Sequence, residues 1–294
     1  MKHLTAFRKK FKIDRSANIS DVAVAVEAIQ ASNDITAEFL DNIEPNSNIV
    51  GFRIRSLSNL LGRTFEHAQA MLVAMATGSP ASAEALARIV VESSVSVIYL
   101  AAKGDAGTII RFFRTWLTEH DRKLTEWKQR VRTEESNADV LAMIEERRSV
   151  VRILDDFVNQ LESECEIDAS TPLSEWPRSL FHRFQAIGRE TDYYESYHRL
   201  SGSSHMTGED TLMWLFAMQL PDVASRRKLG EEAWAYSIMM TYIASLFFID
   251  AGLTCCLAYG RDPSADIEAY RISLHRAVEG IASRAGVPLD AGTR

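Results

Sequence analysis

The stretch Tyr193 to Met206, YYESYHRLSGSSHM, crowds together side chains that can move protons and hold an anion. His198 and His205 carry imidazoles, the side chain most often used for proton transfer. Arg199 carries a planar donor fork suited to a phosphate or carboxylate, and Tyr197 and Ser201 add hydroxyls that orient or donate. On an unbroken helix Tyr194, His198, Ser201 and His205 share one face, because steps of four, three and four residues are helical. Arg199 then points about 120° away from His205 at 3.6 residues per turn. Gly202 and the two serines after it break such a helix readily, and a bend there brings Arg199 and His205 together. The spacing leaves both arrangements open.

A second stretch carries chemistry by contrast with its surroundings. Between Ala85 and Ala102 the sequence ALARIVVESSVSVIYLAA is apolar or small on every side except at Arg88 and Glu92. A helix of this composition is normally interior, so its charges are expected to be at least partly buried and therefore paired. Their i, i+4 spacing allows pairing with each other, and Ser96 and Tyr99 extend the same stripe. One reading is a narrow exposed face bearing an ordinary surface pair. The other is a polar cleft at the centre of a bundle, with Glu92 mostly buried, His205 and Ser201 facing this helix, and Asp250 as a third charged member. Asp250 is the sole charge in AWAYSIMMTYIASLFFIDAGLTCCLAYG, Ala233 to Gly260.

These residues need elements to hold them, and the chain supplies helices. In 294 residues there are only seven prolines and fourteen glycines, which disfavours a sandwich of many tight turns. Apolar residues recur at three-to-four spacing, and no strand-like alternation survives. The fold expected is all-α, a multi-helix bundle of about 8–9 helices with no sheet. Residues 1–19 read as a basic, solvated arm and 20–294 as one helical domain, with a sub-boundary near 166–177 around Pro172 and Pro177. Pro80 fits the first position of a helix capped by Ser79, and Asp105 fits the cap of the next. The segments 105–134 and 137–165 read as a charged antiparallel helix pair. The Ala85–Ala102 and Ala233–Ile249 helices are expected at the centre of the core.

Charge is unevenly spread. Six Lys/Arg against one Asp give residues 1–15 a charge of +5, leaving −12 of the formal −7 for the rest. A basic arm on an acidic body can touch phosphates, anionic lipid or the body itself, while the acidic body argues against broad nucleic-acid affinity. The three cysteines, Cys165, Cys255 and Cys256, form neither a disulfide framework nor a zinc spacing and read as buried hydrophobes in a reducing cytoplasm. The Ala233–Gly260 run reaches membrane-spanning length only by taking Asp250 into or near the bilayer, so a buried core helix is expected and no membrane partner. Glu92, Asp250, His198 and His205 are the candidate metal ligands; no metal and no cofactor is expected.

The pattern of Arg88 and Glu92 followed by Tyr99-Leu100, then WPRSLFHRFQAIGRETDYYESYHRLSGSSH, resembles a family of uncharacterised bacterial all-helical domains of unknown function. Its members carry an Arg…Glu helix and a downstream Tyr-x-x-Leu-Ser…His segment, here Tyr197, Leu200, Ser201 and His205, and the likeness spans roughly residues 79–260. Arg199 and His205, with five residues between them, are similar to the Arg-x(4–6)-His motif of HEPN domains, many of them metal-independent ribonucleases of toxin and phage-defence systems. The position after the arginine, commonly polar in that motif, is Leu200. The HEPN likeness implies RNA as substrate, a homodimer, and a protein partner such as an antitoxin. It implies His205 as proton-transfer residue, Arg199 as phosphate stabiliser, and Tyr197 and Ser201 as orienting hydroxyls; Arg88 and Glu92 join them as candidates from the composition of their own helix. The alternative is a non-catalytic helical binding protein in which the same Arg/Glu/Ser/His cluster knits the bundle.

Overall fold

The computed structural model describes residues 2–14, 17–131, 137–167, 175–200 and 208–287. Among them the secondary structure is helical throughout, in eleven α-helices with one 3₁₀ turn, one π-helical segment and no strand. The helices are α1 (Lys2–Phe11), α2 (Ala23–Asp41), α3 (Asn48–Ala76), α4 (Pro80–Ala102), α5 (Ala106–Arg130) and α6 (Ala138–Glu164), then α7 (Leu180–Ala186), α8 (Glu190–Asp192), α9 (Gly208–Gln219), α10 (Val223–Ala258) and α11 (Ser264–Ala282). The chain resolves into two compact units, one of residues 1–43, 57–103 and 179–294, the other of 44–56 and 104–178.

Eleven helices exceed the eight or nine expected, partly because the basic N-terminus is itself helical. In α1, Phe7 is buried with its ring 5.0 Å from Phe11, and the Leu4 N–H donates to Glu27 Oε1 of α2 at 3.0 Å. Lys10 Nζ donates to Gln69 Oε1 of α3 at 2.8 Å. An amphipathic turn with two phenylalanines gains more by docking than a frayed terminus gains in entropy, so the expectation of a solvated arm is corrected for these residues.

The first unit is organised around α4 and α10. Helix α4 contains Val90, Val91, Val95, Val97 and Ile98, β-branched residues with poor helix propensity. It is helical because all five are buried, with tertiary packing rather than propensity stabilising it. Pro80 takes its first position, and Ser79 stands at the cap without a side-chain hydrogen bond. Helix α10 begins at Val223, ten residues before the apolar run that announced it, with Asp222 Oδ1 accepting the Ser225 N–H at 2.7 Å. Its first turns are exposed and carry Arg227–Glu231 and Lys228–Glu232 pairs, which mask the helix from a hydrophobicity reading. From Ala235 onward α10 is largely buried, against α4, α2 and α11. Gly252 permits the close approach of α2: a Cβ there would lie 2.7 Å from Thr36 Oγ1. Both α4 and α10 have the length and composition of a membrane span, and 56% and 78% of their apolar windows are buried inside the protein.

In the second unit, α5 and α6 pair antiparallel: Arg114 Nη1 reaches Asp155 Oδ1 at 2.5 Å near one end, and Arg148 Nη2 donates to Thr125 Oγ1 near the other. Asp105 caps α5 reciprocally, its Oδ1 accepting the Thr108 N–H at 2.7 Å while Thr108 Oγ1 accepts the Asp105 N–H at 3.2 Å. The first turns of α3 join this unit through Arg53 Nη2, which donates to the Gly104 carbonyl at 2.9 Å, and through Phe52 against Phe113.

Candidate functional site

Arg88, Glu92 and Ser96 stand at i, i+4 and i+8 on α4 and so share one face. All three are half-buried. Against this face lie α7 and the π-helical segment Tyr193–His198, which continues α8. Helix α7 is started by Ser179, whose Oγ accepts the His182 N–H at 3.3 Å, and is followed by Gly188 at φ +72°, a conformation that favours glycine and turns the chain into α8.

Two arginines hold these elements together. Arg88 Nη2 donates to the Tyr197 hydroxyl at 2.8 Å, and its guanidinium lies 4.9 Å from the centre of the same ring. Arg183, from α7, donates through Nη1 to Ser96 Oγ at 2.7 Å, and Ser96 in turn donates to the Glu92 carbonyl at 2.8 Å. Burial pulls the Arg183 pKa below its ordinary value, while the charges of Glu92 and Tyr197 act in the opposite sense. Arg88, Glu92, Ser96, Arg183 and Tyr197 thus form one half-buried cluster built from three elements.

The wider π turn arranges the aromatic rings behind it. Tyr193 lies 5.6 Å from Tyr197 and 6.3 Å from His198, so both its i+4 and i+5 neighbours are at hand, and it also packs 5.6 Å from Phe184 and 5.2 Å from Phe181. Tyr194 and His198 are exposed and lie 6.2 Å apart. Short π segments occur frequently where a helix serves a function.

Of the candidates named from sequence, Arg88, Glu92 and Tyr197 come together. Arg199 is exposed, and no described hydrogen bond or ion pair joins it to them, whereas the adjacent Leu200 is fully buried. Ser201 and His205 lie outside the described residues. Asp250 does not join the cleft: its Oδ2 accepts from Arg189 Nη1 at 2.8 Å and its Oδ1 lies 3.3 Å from Arg271 Nε. Arg189 also bonds Asp192 and stacks 4.4 Å above Phe247. Burial acts to lower Arg189, yet Asp250 and Asp192 together hold its pKa above the ordinary value. The lone acid of the apolar run of α10 is therefore neutralised by two cations from other elements. Glu195 and His198 do stand at Glu-x-x-His spacing, both exposed, and among the described residues no three His, Cys, Asp or Glu side chains gather as a metal site.

The profile of the family of unknown function DUF5677 matches residues 55–215, more than half of the chain and the whole of the Arg88–Tyr197 cluster. The chain belongs to this family. The DUF5677 stretch carries α4, α7 and the π segment but not α10 or α11, which supply Asp250 and Arg271. No curated protein and no solved structure matches the chain.

Sequence reasoning missed Arg183 and the Arg189–Asp250–Arg271 network. A signal for Arg183 was present: it stands between Leu180 and Ile187 at three- and four-residue steps, on the apolar face of its short helix. A charge at such a position needs a partner inside the fold.

Proposed function

We propose that this chain is a metal-independent ribonuclease of toxin or phage-defence type, acting in the cytoplasm through residues of the 193–205 stretch together with the Arg88 face of α4. The observation that supports it best is the Arg88–Tyr197 hydrogen bond, which joins stretches 109 residues apart that were singled out separately for their chemistry. In this reading the 2′-hydroxyl of a ribose attacks the adjacent phosphorus. The 2′-O–P bond forms and the P–O5′ bond breaks, leaving a 2′,3′-cyclic phosphate and a 5′-hydroxyl. His205 accepts the 2′ proton or delivers one to the leaving oxygen, and the exposed Arg199 stabilises charge on the phosphoryl oxygens. Arg88, through Tyr197, fixes the π turn from which the Arg199–His205 stretch departs.

The test is cleavage of end-labelled single-stranded RNA in the presence of EDTA. The wild type is expected to cut and leave cyclic phosphate ends, and His205→Ala to retain its helicity while losing activity. A wild type inert on RNA ends this reading.

The second reading, a non-catalytic helical binding protein, is favoured by the engagement of Tyr197 and Ser96 inside the protein, where they act as mortar between α4, α7 and the π segment. It predicts that His205→Ala lowers stability and that no RNA is cut.

A further inference from the structure

Helix α9 differs from the other apolar helices of the chain. From Thr211 to Leu220 the sequence TLMWLFAMQL bears no charge, a composition that normally belongs in a core. Yet Leu212, Met213, Trp214, Leu215, Phe216 and Met218 are each 47–66% exposed. Val223, just past the helix, is 71% exposed. Nearly consecutive positions are open, so the apolar surface runs around the helix.

Three occupants could cover such a helix, and two fit poorly. At 12 residues it is far short of the roughly 20 needed to span a bilayer. A helix lying in a membrane interface has one apolar and one strongly charged face, and α9 has no charged face between Thr211 and Leu220. Protein is left, and the area says how much. Seven side chains of roughly 150–250 Å² each, about half to two-thirds open, present on the order of 800 Å², the share that one partner contributes to a standard interface.

We propose that α9 is the dimerisation helix of this chain and packs antiparallel against α9 of a second copy across a two-fold axis. Antiparallel pairing opposes the two helix dipoles favourably. Trp, Phe and Met at the centre are the residue types that anchor protein interfaces. The inference does not depend on whether the chain cuts RNA.

Sedimentation velocity of the full chain between about 1 and 100 μM is expected to show a concentration-dependent dimer. The double variant Leu212→Glu/Phe216→Glu should remain monomeric throughout with an unchanged far-ultraviolet circular dichroism spectrum. Met213→Cys, near the middle of the helix, should give a disulfide-linked dimer under mild oxidation, since the three natural cysteines are buried; this arm decides the matter should the double variant misfold. A wild type that stays monomeric at the upper concentration, or a dimer indifferent to the double substitution, overturns the proposal. So does a monomeric wild type whose Trp214 emission shifts to the blue on phosphatidylserine/phosphatidylcholine vesicles, which would assign α9 to a membrane surface.

Discussion

On α5 and α6, Arg122 bonds Glu119 and Glu126 of its own helix and Lys128 reaches Glu145, all among side chains that keep 41–53% of their exposure. Around the buried stretches of α4 and α10, charges are answered from other elements: Arg88 by Tyr197, Arg183 by Ser96, Asp250 by Arg189 and Arg271. The first arrangement sits in water, where a pair gains little beyond solvation and loses side-chain entropy. In the second, Asp250 retains 18% exposure among buried aromatic and aliphatic groups, and loss of one partner strands the others. The number of ion pairs is therefore a poor guide to where this fold is held. Burial and sequence distance between partners are better ones.

The comparison is broken most severely by Asp250→Asn. This removes the carboxylate that Arg189 and Arg271 share and leaves them only Asp192 and Glu268 as counter-charges, and it is expected to cost about 2 kcal/mol in urea denaturation, after allowance for the partial exposure of both arginines. A cost below about 0.5 kcal/mol would place this network with the surface pairs. Tyr197→Phe keeps the ring under Arg88 and removes only the hydroxyl, so a loss of about 1–1.5 kcal/mol is expected. A double-mutant cycle with Arg88→Ala should return a coupling of similar size, and additivity of the two would show that the bond contributes nothing.

Within the second unit, Arg114 sharpens the contrast, because it is more sheltered than its neighbours and bonds Asp155, Asn159 and Glu162 together. Arg114→Ala is expected to cost about 1 kcal/mol, less than Asp250→Asn and more than the substitutions on the open face. The smallest effect belongs to Arg122→Ala, which should leave the unfolding midpoint unchanged. Glu119 is nevertheless held at a pKa of about 2, chiefly by its hydrogen bond to Arg122. Because its folded value is depressed, whatever stability it contributes is present above its ordinary range near pH 4.5 and is lost as pH falls toward about 2. Carboxyl carbon-13 titration should find Glu119 ionised at pH 3 in the wild type and returned to the ordinary range in Arg122→Ala.

Signals confined to a few residues were legible from the sequence alone: the all-helical class, the capping of α5 by Asp105, the start of α4 at Pro80, and the central place of α4 and α10. Periodicity, caps and composition are local, because a helix is closed by hydrogen bonds four residues apart. The sequence also marked Arg88 and Glu92 as charges in need of partners. Only the tertiary structure decided which partners these are, since that depends on how faces far apart in the chain meet. It chose Tyr197 for Arg88, turned Arg183 toward Ser96, and gave Asp250 to Arg189 and Arg271 instead of to the cleft. It docked the basic N-terminus as a helix and widened Tyr193–His198 into a π turn. It also left α9, as apolar as the core helices, open to solvent, because exposure depends on what the rest of the fold leaves uncovered.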